Sequence, residues 1–290
     1  MTDSRKRLLV LGANGMLGNA VLRWFANDPA YEVIGSVRRA DTVSTLQERA
    51  PAAQLVTGGD ACDLPALRRL FDHVQPDVVI NCIGVVKQLA GAEAPAVAIP
   101  INALLPHRLA KLSQVRGARL IHISTDCVFS GARGGYSEED LPDADDLYGR
   151  SKLMGEVDYE NAVTLRTSII GHELGTSHAL LGWFLAQGGT VSGFTNAIFS
   201  ALSTVELARV IQQFVLPSRD LHGTYHVAGP AISKHDLLHV VARAYGRNTP
   251  IVAEPLPVLD RSLNGSRFKA ATGYAAPAWD ELVAQMHAFG

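Results

Sequence analysis

The sequence predicts a doubly wound parallel α/β fold with a smaller, mixed C-terminal substrate domain. Short apolar, β-branched runs alternate with helical patterns through the first half of the chain. The runs are apolar on both faces, as in strands that are covered by helices on either side. A glycine-rich segment follows the first run directly. A chain of 290 residues that is 47% hydrophobic and 19% charged has the composition of an ordinary globular protein.

The individual elements follow from the spacing of apolar residues. The predicted strands are the short apolar runs at 7–11, 32–37, 54–56, 77–83, 119–124 and 162–166. Between them, apolar residues recur three to four apart, which predicts crossover helices at 16–26, 64–74, 102–115 and 148–159. After about residue 166 this rhythm loosens into Gly- and Ser-rich turns and a Pro-rich stretch. We therefore predict a cofactor-binding domain over 1–167, rejoined by about 198–229, and a smaller substrate-binding domain over 168–197 and 230–290.

The charge balance and the cysteines argue against several classes of protein. With 26 Lys plus Arg against 28 Asp plus Glu, the formal net charge of −2 gives no basic excess for nucleic acid or an anionic membrane. The three cysteines lie far apart, without the spacing of a zinc site or the density of a disulfide scaffold. The first apolar run is too short for a signal peptide, and no later stretch is long enough to span a bilayer. We expect a cytoplasmic protein with a small-molecule partner, and a homodimer is compatible with the sequence.

Two histidine pairs have the four-residue spacing that a helix can turn into metal ligands. His222 and His226 fall on a predicted strand, however, and His235 and His239 lack the Glu of the HExxH motif. No metal site is predicted.

The first predicted strand runs into a loop whose glycines suit a dinucleotide. Gly12 allows the tight turn, Gly15 lets the backbone approach a pyrophosphate, and Gly18 lets the helix pack closely on the sheet. The amides at the helix N-terminus then face the anion. The alternative is a helix start that uses glycine for its geometry alone. Dinucleotide binding of the Rossmann type is the favoured interpretation, with a loop formed by Gly12, Asn14, Gly15, Met16, Leu17 and Gly18.

The end of the second strand bears on the choice of cofactor. Enzymes that use NAD usually carry an acidic residue there, whereas this chain has Arg38 and Arg39, whose guanidinium groups suit a 2′-phosphate. NADP(H) is therefore favoured, NAD(H) stays open, and a solvated arginine pair is the alternative. Asp60 and Ala61, after the third strand, are placed to meet the adenine, although an exposed turn aspartate would look the same.

A phenol and an ammonium lie four residues apart at Tyr148 and Lys152, which places both on one face of a helix. Such pairs are frequent on helix surfaces, so the motif alone is weak. The fifth strand, however, ends in a hydroxyl at Thr125, ahead of this helix. Tyr148 could deliver a proton to a substrate carbonyl, with the nearby cation lowering the phenol's pKa, while Thr125 donates to the oxygen. The neighbouring hydroxyl of Ser124 could partly replace that of Thr125.

Six segments carry a resemblance to a known family. They read GANGMLG at 12–18, PDVVINCIG at 76–84, STDCVFSG at 124–131, YGRSKLMGE at 148–156, LRTSIIG at 165–171 and GTYHVAG at 223–229. On these segments the chain resembles the extended short-chain dehydrogenase/reductase family, and within it the dTDP-4-dehydrorhamnose reductases. The likeness covers nearly the whole chain and is thinnest from about residue 230 onward.

The resemblance implies roles for individual residues. Thr125, Tyr148 and Lys152 would be the catalytic triad, with Lys152 also holding the nicotinamide ribose. Asn102 matches the asparagine that begins the family's fourth helix. After the fourth strand the reductases usually carry Asn-Ala-Ala-Ala, and this chain departs from them with Asn-Cys-Ile-Gly at 81–84, which leaves the sugar open. The implied cofactor contacts outside the glycine loop are Arg38, Arg39, Asp60, Ala61, Cys82, Ile83, Gly84, Asn102, Tyr148 and Lys152.

The resemblance also implies a reaction. It is the NADPH-dependent reduction of a keto group, at C4 of a nucleotide-linked deoxysugar, for cell-surface polysaccharide or deoxysugar biosynthesis. A 4,6-dehydratase is disfavoured because Cys127 follows Asp126 where those enzymes carry a Glu. A nucleotide-sugar epimerase stays open, as does a non-catalytic, NADP-binding regulatory subunit like that of methionine adenosyltransferase. Candidate contacts to the sugar or diphosphate, each of which could equally be a surface residue, are Lys87, Asn196, Arg261, Arg267 and Lys269.

Overall fold

The computed structural model describes residues 5–57, 60–86 and 93–290. Its strands are β1 (Lys6–Leu11), β2 (Tyr31–Val37), β3 (Gln54–Thr57), β4 (Val78–Asn81), β5 (Arg119–Thr125), β6 (Ala162–Thr167), β7 (Ile169–Ile170), β8 (Val191–Phe194), β9 (Ala197–Phe199), β10 (Leu202–Ser203), β11 (Gly223–His226), β12 (Ile232–Ser233), β13 (Ile251–Glu254) and β14 (Leu259–Asp260). Its α-helices are α1 (Met16–Ala26), α2 (Val43–Arg49), α3 (Leu64–Val74), α4 (Pro95–Ala98), α5 (Leu105–Val115), α6 (Leu147–Met154), α7 (Leu180–Leu185), α8 (Thr204–Val210), α9 (Lys234–Ala244), α10 (Ser266–Thr272) and α11 (Trp279–Phe289).

Seven strands form one parallel sheet in the order β11-β6-β5-β4-β1-β2-β3. The chain builds outward from β1 to β3, returns to β4 and continues to β11, so helices cover both faces. Neighbouring residues on one strand point to opposite faces: Leu8 shares a buried cluster with α1, whereas Leu9 packs with α3 and α5. The predicted doubly wound α/β fold is confirmed.

Two predicted helices differ from the observed ones for local reasons. The helix expected from residue 102 begins at Pro95 and passes through a π-helical segment, Ile99–Leu104, before α5 starts. The helix α6 ends at Met154 because Gly155 caps it against the backbone of Asn102, whose carbonyl oxygen a Cβ would overlap. By contrast, α1 and α3 have the predicted bounds. The short helix α2 was not predicted.

The C-terminal part packs against the loop that follows β5. Its three-stranded sheet has the order β12-β9-β14. Where this sheet ends, the Asp260 amide donates to the Gly131 carbonyl at 2.7 Å, and Arg261 Nε donates to the Phe129 carbonyl at 2.9 Å. The strand β11 belongs to the main sheet and lies within the segment that was predicted to return to the cofactor domain. The domain boundaries themselves stay a prediction.

The structure bears on two further expectations. In the described ranges, no helix is both long enough and apolar enough to cross a bilayer. Within 5–57, 60–86 and 93–290, no three His, Cys, Asp or Glu side chains come together in the way that metal ligands do. The cytoplasmic location stays a prediction.

Candidate active site

Backbone contacts that favour glycine shape the loop between β1 and α1. Gly12 has a φ of +76°, a left-handed value that disfavours other residues. A Cβ on Gly18 would overlap the carbonyl oxygen of Gly12, so α1 packs directly on the loop. Gly15 is the N-cap of α1, and no side chain of the described residues caps the helix amides. The loop therefore presents helix N-terminal amides to an anion and fits a pyrophosphate.

The other predicted residues of the glycine loop occupy different depths. Asn14 is exposed, Met16 begins α1, and Leu17 is buried. From the end of β4, Ile83 lies against Gly12, because a Cβ on that glycine would come within 3.0 Å of Ile83 Cγ1. The strand ends of β1 and β4 thus meet at one edge of the sheet, where doubly wound folds bind their ligands.

Replacing Gly18 with Ala will weaken dinucleotide binding at least about tenfold and destabilise the fold by about 1–3 kcal/mol. The added Cβ has to displace the backbone of Gly12, which cannot move without opening the loop. Cofactor titration and thermal unfolding measure the two effects. Gly188→Ala is the matched control, because a Cβ there meets no atom within 4 Å. Unchanged cofactor affinity in Gly18→Ala would contradict the assignment of this loop.

The two arginines after β2 have different surroundings. Arg39 is hydrogen-bonded and ion-paired to Asp41, whose carboxylate competes with any phosphate for the guanidinium. Arg38 is exposed and lies close enough to Cys62 to act on the pKa of its thiol. The amide of Cys62 donates to Asp60 Oδ1 at 2.9 Å, in the turn that was predicted to meet the adenine. Arg38 therefore lies near the turn that was predicted to meet the adenine.

Thr125 and Tyr148 are brought together where β5 ends and α6 begins. The Thr125 side chain is near enough to the phenol to lower its pKa. Asp146 caps the N-terminus of α6 and accepts from the Gly149 amide at 2.8 Å. A Cβ on Gly149 would overlap the Cys127 carbonyl oxygen, so the first turn of the helix lies directly on the loop after β5. This close approach aligns the phenol with the threonine.

The phenol of Tyr148 is less acidic than an ordinary tyrosine. Burial raises its pKa, and the neighbouring Cys127, Asp126 and Asp146 raise it further. The sequence had predicted the opposite shift, from the Lys152 ammonium. In the structure the Lys152 ammonium donates instead to the carbonyl oxygen of Ile123, on β5, at 2.7 Å. Tyr148 is therefore protonated at neutral pH and can act as a proton donor.

Lys152 is a buried ammonium one helical turn beyond Tyr148. Burial lowers the pKa of Lys152 to about 8, and the charge of Glu156 opposes that shift; the Cys82 thiol is also close to the ammonium. The Cys82 thiol stays neutral because burial raises its pKa to about 12. Lys152 is thus close to the end of β4 as well as to β5, at the edge that carries the glycine loop.

Asn102 holds the loop after β4 to the tyrosine helix. Its side-chain oxygen accepts from the Val85 amide at 2.9 Å, and its amide donates to the Val85 carbonyl at 3.0 Å and to Ser151 Oγ at 3.2 Å. Gly84 lies against the same side chain, since a Cβ there would come within 3.6 Å of Asn102 Oδ1. These contacts engage the whole carboxamide. They favour a positioning role over direct contact with a cofactor.

The predicted substrate contacts are scattered. Asn196 donates to the Pro255 carbonyl, Arg267 lies over the ring of Tyr225, and Lys269 is exposed. Lys87 lies outside the described residues.

Arg261 and an unpredicted lysine approach the catalytic loop. Arg261 acts on the pKa of the buried Asp126 carboxyl, which burial raises. Lys234 begins α9 and is only partly exposed. It lies close enough to Asp126 and Cys127 for both to act on its pKa. Sequence reasoning missed Lys234. Ser233, which caps α9, was the available signal for a helix starting there.

Comparison with known proteins places this geometry in a family. The family described as RmlD substrate binding domain matches residues 6–288. The chain is 29% identical to the "Probable low-salt glycan biosynthesis reductase Agl14" of Haloferax volcanii, over 96% of each protein. Methionine adenosyltransferase 2 subunit beta of Rattus norvegicus is 34% identical, but over 52% of this chain and 42% of that protein. The crystal structure of dTDP-4-dehydrorhamnose reductase from Bacillus anthracis in complex with NADP has a TM-score of 0.78 at 21% identity, covering 98% of this chain and 99% of that one.

The family match and the structural match both extend over almost all of the chain. They agree with the resemblance that six sequence segments had suggested, which is thereby confirmed. The chain belongs to the RmlD substrate binding domain family.

Proposed function

We propose that the chain is an NADPH-dependent reductase that converts the 4-keto group of a nucleotide-linked deoxysugar to an alcohol. The observation that carries this proposal is the placement of Tyr148 beside Thr125, at the same edge of the sheet as the glycine loop. A proton donor and a second hydroxyl beside a dinucleotide cradle are the groups that carbonyl reduction requires. Lys152, buried next to them, completes the set.

The side chains supply the proton and hold the ketone. A bound NADPH would supply the hydride, which goes to the carbonyl carbon. Tyr148, protonated at neutral pH, gives its proton to the carbonyl oxygen, so that the ketone becomes a secondary alcohol. The Thr125 hydroxyl lies beside the phenol and could donate to the same oxygen. Lys152 would hold the nicotinamide ribose, and water returns a proton to Tyr148 after the reaction.

Two related proteins support the proposal. The archaeal relative that matches over the full length is named as a reductase of glycan biosynthesis. The Bacillus anthracis enzyme was crystallised with NADP. The regulatory-subunit alternative is supported by a match over only about half of each chain. Because Thr125, Tyr148 and Lys152 are assembled at one place, we favour catalysis over a purely binding role.

The test is NADPH oxidation by the purified protein with a panel of 4-keto nucleotide sugars, followed by absorbance. NMR of the product identifies the reduced carbon. An epimerase would instead convert the nucleotide sugar without net oxidation of NADPH. A regulatory subunit would oxidise no NADPH and would bind a methionine adenosyltransferase in a pull-down. Either of those two results would contradict the proposal.

Replacing Arg38 with Ala will weaken NADPH binding about tenfold to a hundredfold and leave NADH binding unchanged, because a charge-assisted contact to the 2′-phosphate is lost. Arg39→Ala is the matched control and will change NADPH affinity less than about threefold, since Asp41 already engages that guanidinium. The double variant will lose most of the preference for NADPH. Calorimetry with both cofactors measures this. Equal affinities for NADPH and NADH in the unmodified protein would rule out the NADP assignment.

Three further properties are part of the proposal. Residues 1–167 and about 198–229 bind the cofactor, while 168–197 and 230–290 bind the sugar nucleotide. Lys234 and Arg261, which lie near the loop after β5, belong to this second part. The protein works in the cytoplasm. A homodimer is compatible with the sequence, and sedimentation velocity would test for it.

A further inference from the structure

A chain of buried polar groups crosses the sheet behind the catalytic residues. Glu156, just past the end of α6, accepts from Ser124 Oγ at 2.7 Å. The same carboxylate accepts two bonds from Arg166, at 2.8 Å from Nε and 2.7 Å from Nη2. The side chains of Arg166 and Glu156 are only 6% and 8% exposed. This is a fully paired, bidentate ion pair in the interior.

The chain continues into the strand at the edge of the sheet. Arg166 Nη1 lies 3.2 Å from His226 Nε2, and His226 Nδ1 lies 2.9 Å from the Tyr136 carbonyl oxygen. Burial, together with the charge of Arg166, lowers the pKa of His226 to about 4. The imidazole is therefore neutral, so that Nε2 accepts from the guanidinium and Nδ1 donates to the carbonyl. The His226 amide also donates to Glu138 Oε1 at 2.7 Å.

Both ends of this chain touch the catalytic apparatus. Ser124 lies between residue 123, whose carbonyl oxygen accepts from Lys152, and Thr125. At the other end, the ring of Tyr136 stacks on Phe129 with centroids 4.1 Å apart, and Phe129 belongs to the loop that follows Thr125. The polar chain therefore fixes the strand that carries Thr125 and the loop that follows it at the same time.

We propose that Glu156 is a positioning residue of the active site, which through Ser124 and Arg166 sets the spacing between Thr125 and the helix of Tyr148 and Lys152. The inference rests on the proposed reductase function, which supplies the reaction being positioned. Replacing a buried ion pair by apolar residues often costs no stability, so this pair is poorly explained by stability alone. Its contacts to Ser124 and its charge near Lys152 give it a role at the site.

The charge of Glu156 also acts on Lys152. It favours the ammonium and so opposes the effect of burial. Among the described residues, other ionisable groups near Lys152 include Cys82, at the end of β4, His122, on β5, and Tyr148, one turn earlier in α6. The His122 pKa is well below its usual value because of burial, with Lys152 adding to that effect, so this ring is neutral. Removing the carboxylate charge should therefore lower the pKa of Lys152.

The first test is Glu156→Gln, which keeps the size of the side chain and removes its charge. We expect kcat to fall about tenfold to a hundredfold, because small displacements of reacting groups have effects of that size. NADPH binding, which requires the Lys152 ammonium, will weaken as pH rises through the pKa of Lys152. In Glu156→Gln this point will move to lower pH. In Lys152→Arg the guanidinium does not titrate in this range, so the loss of NADPH binding with rising pH should disappear. That result would assign the pH dependence to Lys152.

A second variant separates position from charge. Ser124→Ala cuts the bond between β5 and Glu156 but keeps the ion pair with Arg166. We expect kcat to fall about tenfold with the pH dependence of NADPH binding unchanged. This small substitution also keeps the proposal testable where Glu156→Gln does not fold.

The matched control is Glu206→Gln. Glu206 is fully buried in α8 on the other face of the sheet, where it forms a bidentate pair with Arg209 and accepts from the Tyr274 hydroxyl. It should lower the Tm as Glu156→Gln does, with no change in kcat or in the pH dependence of NADPH binding. The proposal is overturned if Glu156→Gln behaves like this control, or if Ser124→Ala has normal kcat. If no keto-sugar is reduced by the unmodified protein, the proposed function fails, whereas the NADPH titrations still decide the role of Glu156.

Discussion

Replacing Tyr148 with Phe is expected to lower turnover about a thousandfold and to leave NADPH affinity nearly unchanged. The substitution removes the phenolic oxygen and keeps the ring, so the proton donor is lost while the shape of the site remains. Thr125 loses a neighbouring hydroxyl but stays in place, because it donates to Asp126 Oδ1 and accepts from the Cys127 amide. Single-turnover NADPH oxidation with a 4-keto nucleotide sugar measures the loss, and a cofactor titration runs beside it.

The matched control is Tyr159→Phe, which removes a hydroxyl that contacts His107 outside the catalytic group. It should have normal turnover. The turnover of Thr125→Ala is expected to lie between those of Tyr148→Phe and Tyr159→Phe. The sequence allowed the Ser124 hydroxyl to replace that of Thr125 in part. In the structure Ser124 donates to Glu156, and it could take over the role of Thr125 only by breaking that hydrogen bond. Near-normal turnover in Tyr148→Phe would show the mechanism to be wrong and would favour the regulatory-subunit alternative.

Replacing Lys152 with Met is expected to reduce both turnover and NADPH affinity at least about tenfold, yet to make the protein more stable at neutral pH. The losses follow from the proposed contact of Lys152 with the nicotinamide ribose, which would both bind the cofactor and position it for hydride transfer. The gain follows from its pKa, which burial lowers from 10.5 to about 8. A buried ammonium with a lowered pKa opposes folding, on the order of 3 kcal/mol here, and methionine removes that cost.

The sign of this effect gives a pH dependence. Between about pH 8 and pH 10.5 the unfolded chain keeps the Lys152 proton and the native protein loses it, so the native state gains stability as pH rises. The destabilising contribution is complete below about pH 8 and gone above 10.5. Thermal unfolding of both proteins at pH 7 and near pH 10 should show the advantage of Lys152→Met shrinking at the higher pH.

Lys111→Met, on the surface of α5, is the control for the loss of one positive charge and should show neither effect. A Lys152→Met protein that is markedly less stable than the unmodified one at pH 7 would contradict the direction of the pKa shift. Unchanged NADPH affinity would contradict the ribose contact.

The parts of the fold that depend on neighbours in sequence were predictable. The helices α1 and α3 follow from apolar spacing, and Asp63 and Pro65 mark the start of the second one as a cap and a first-turn proline. The order of the glycine loop, Thr125, Tyr148 and Lys152 along the chain also predicted one site, since parallel strands end at the same edge.

The parts that depend on contacts distant in sequence were not predictable. The pKa of Tyr148 follows from its burial near Asp126 and Cys127, and no spacing reveals that burial. The pairing of Arg166 with His226 requires β11 to lie beside β6, although 55 residues separate the end of β6 from the start of β11. Likewise, the end of α6 depends on the approach of Asn102 to Gly155, two residues on different helical segments.

The two parts of the chain share a core, and this limits how the enzyme could be re-engineered. Leu237 of α9 and Leu282 of α11 belong to the same buried cluster as Val21 and Phe25 of the cofactor helix. Removing the C-terminal segment would therefore uncover apolar side chains of α1 and not release an intact nucleotide-binding half. To exchange substrate specificity between relatives, loops such as the one after β5 should be transferred. The helices α9 and α11 should stay with the α1 of the same protein. Loops can therefore be exchanged between relatives, whereas the N-terminal and C-terminal parts of the chain cannot be separated.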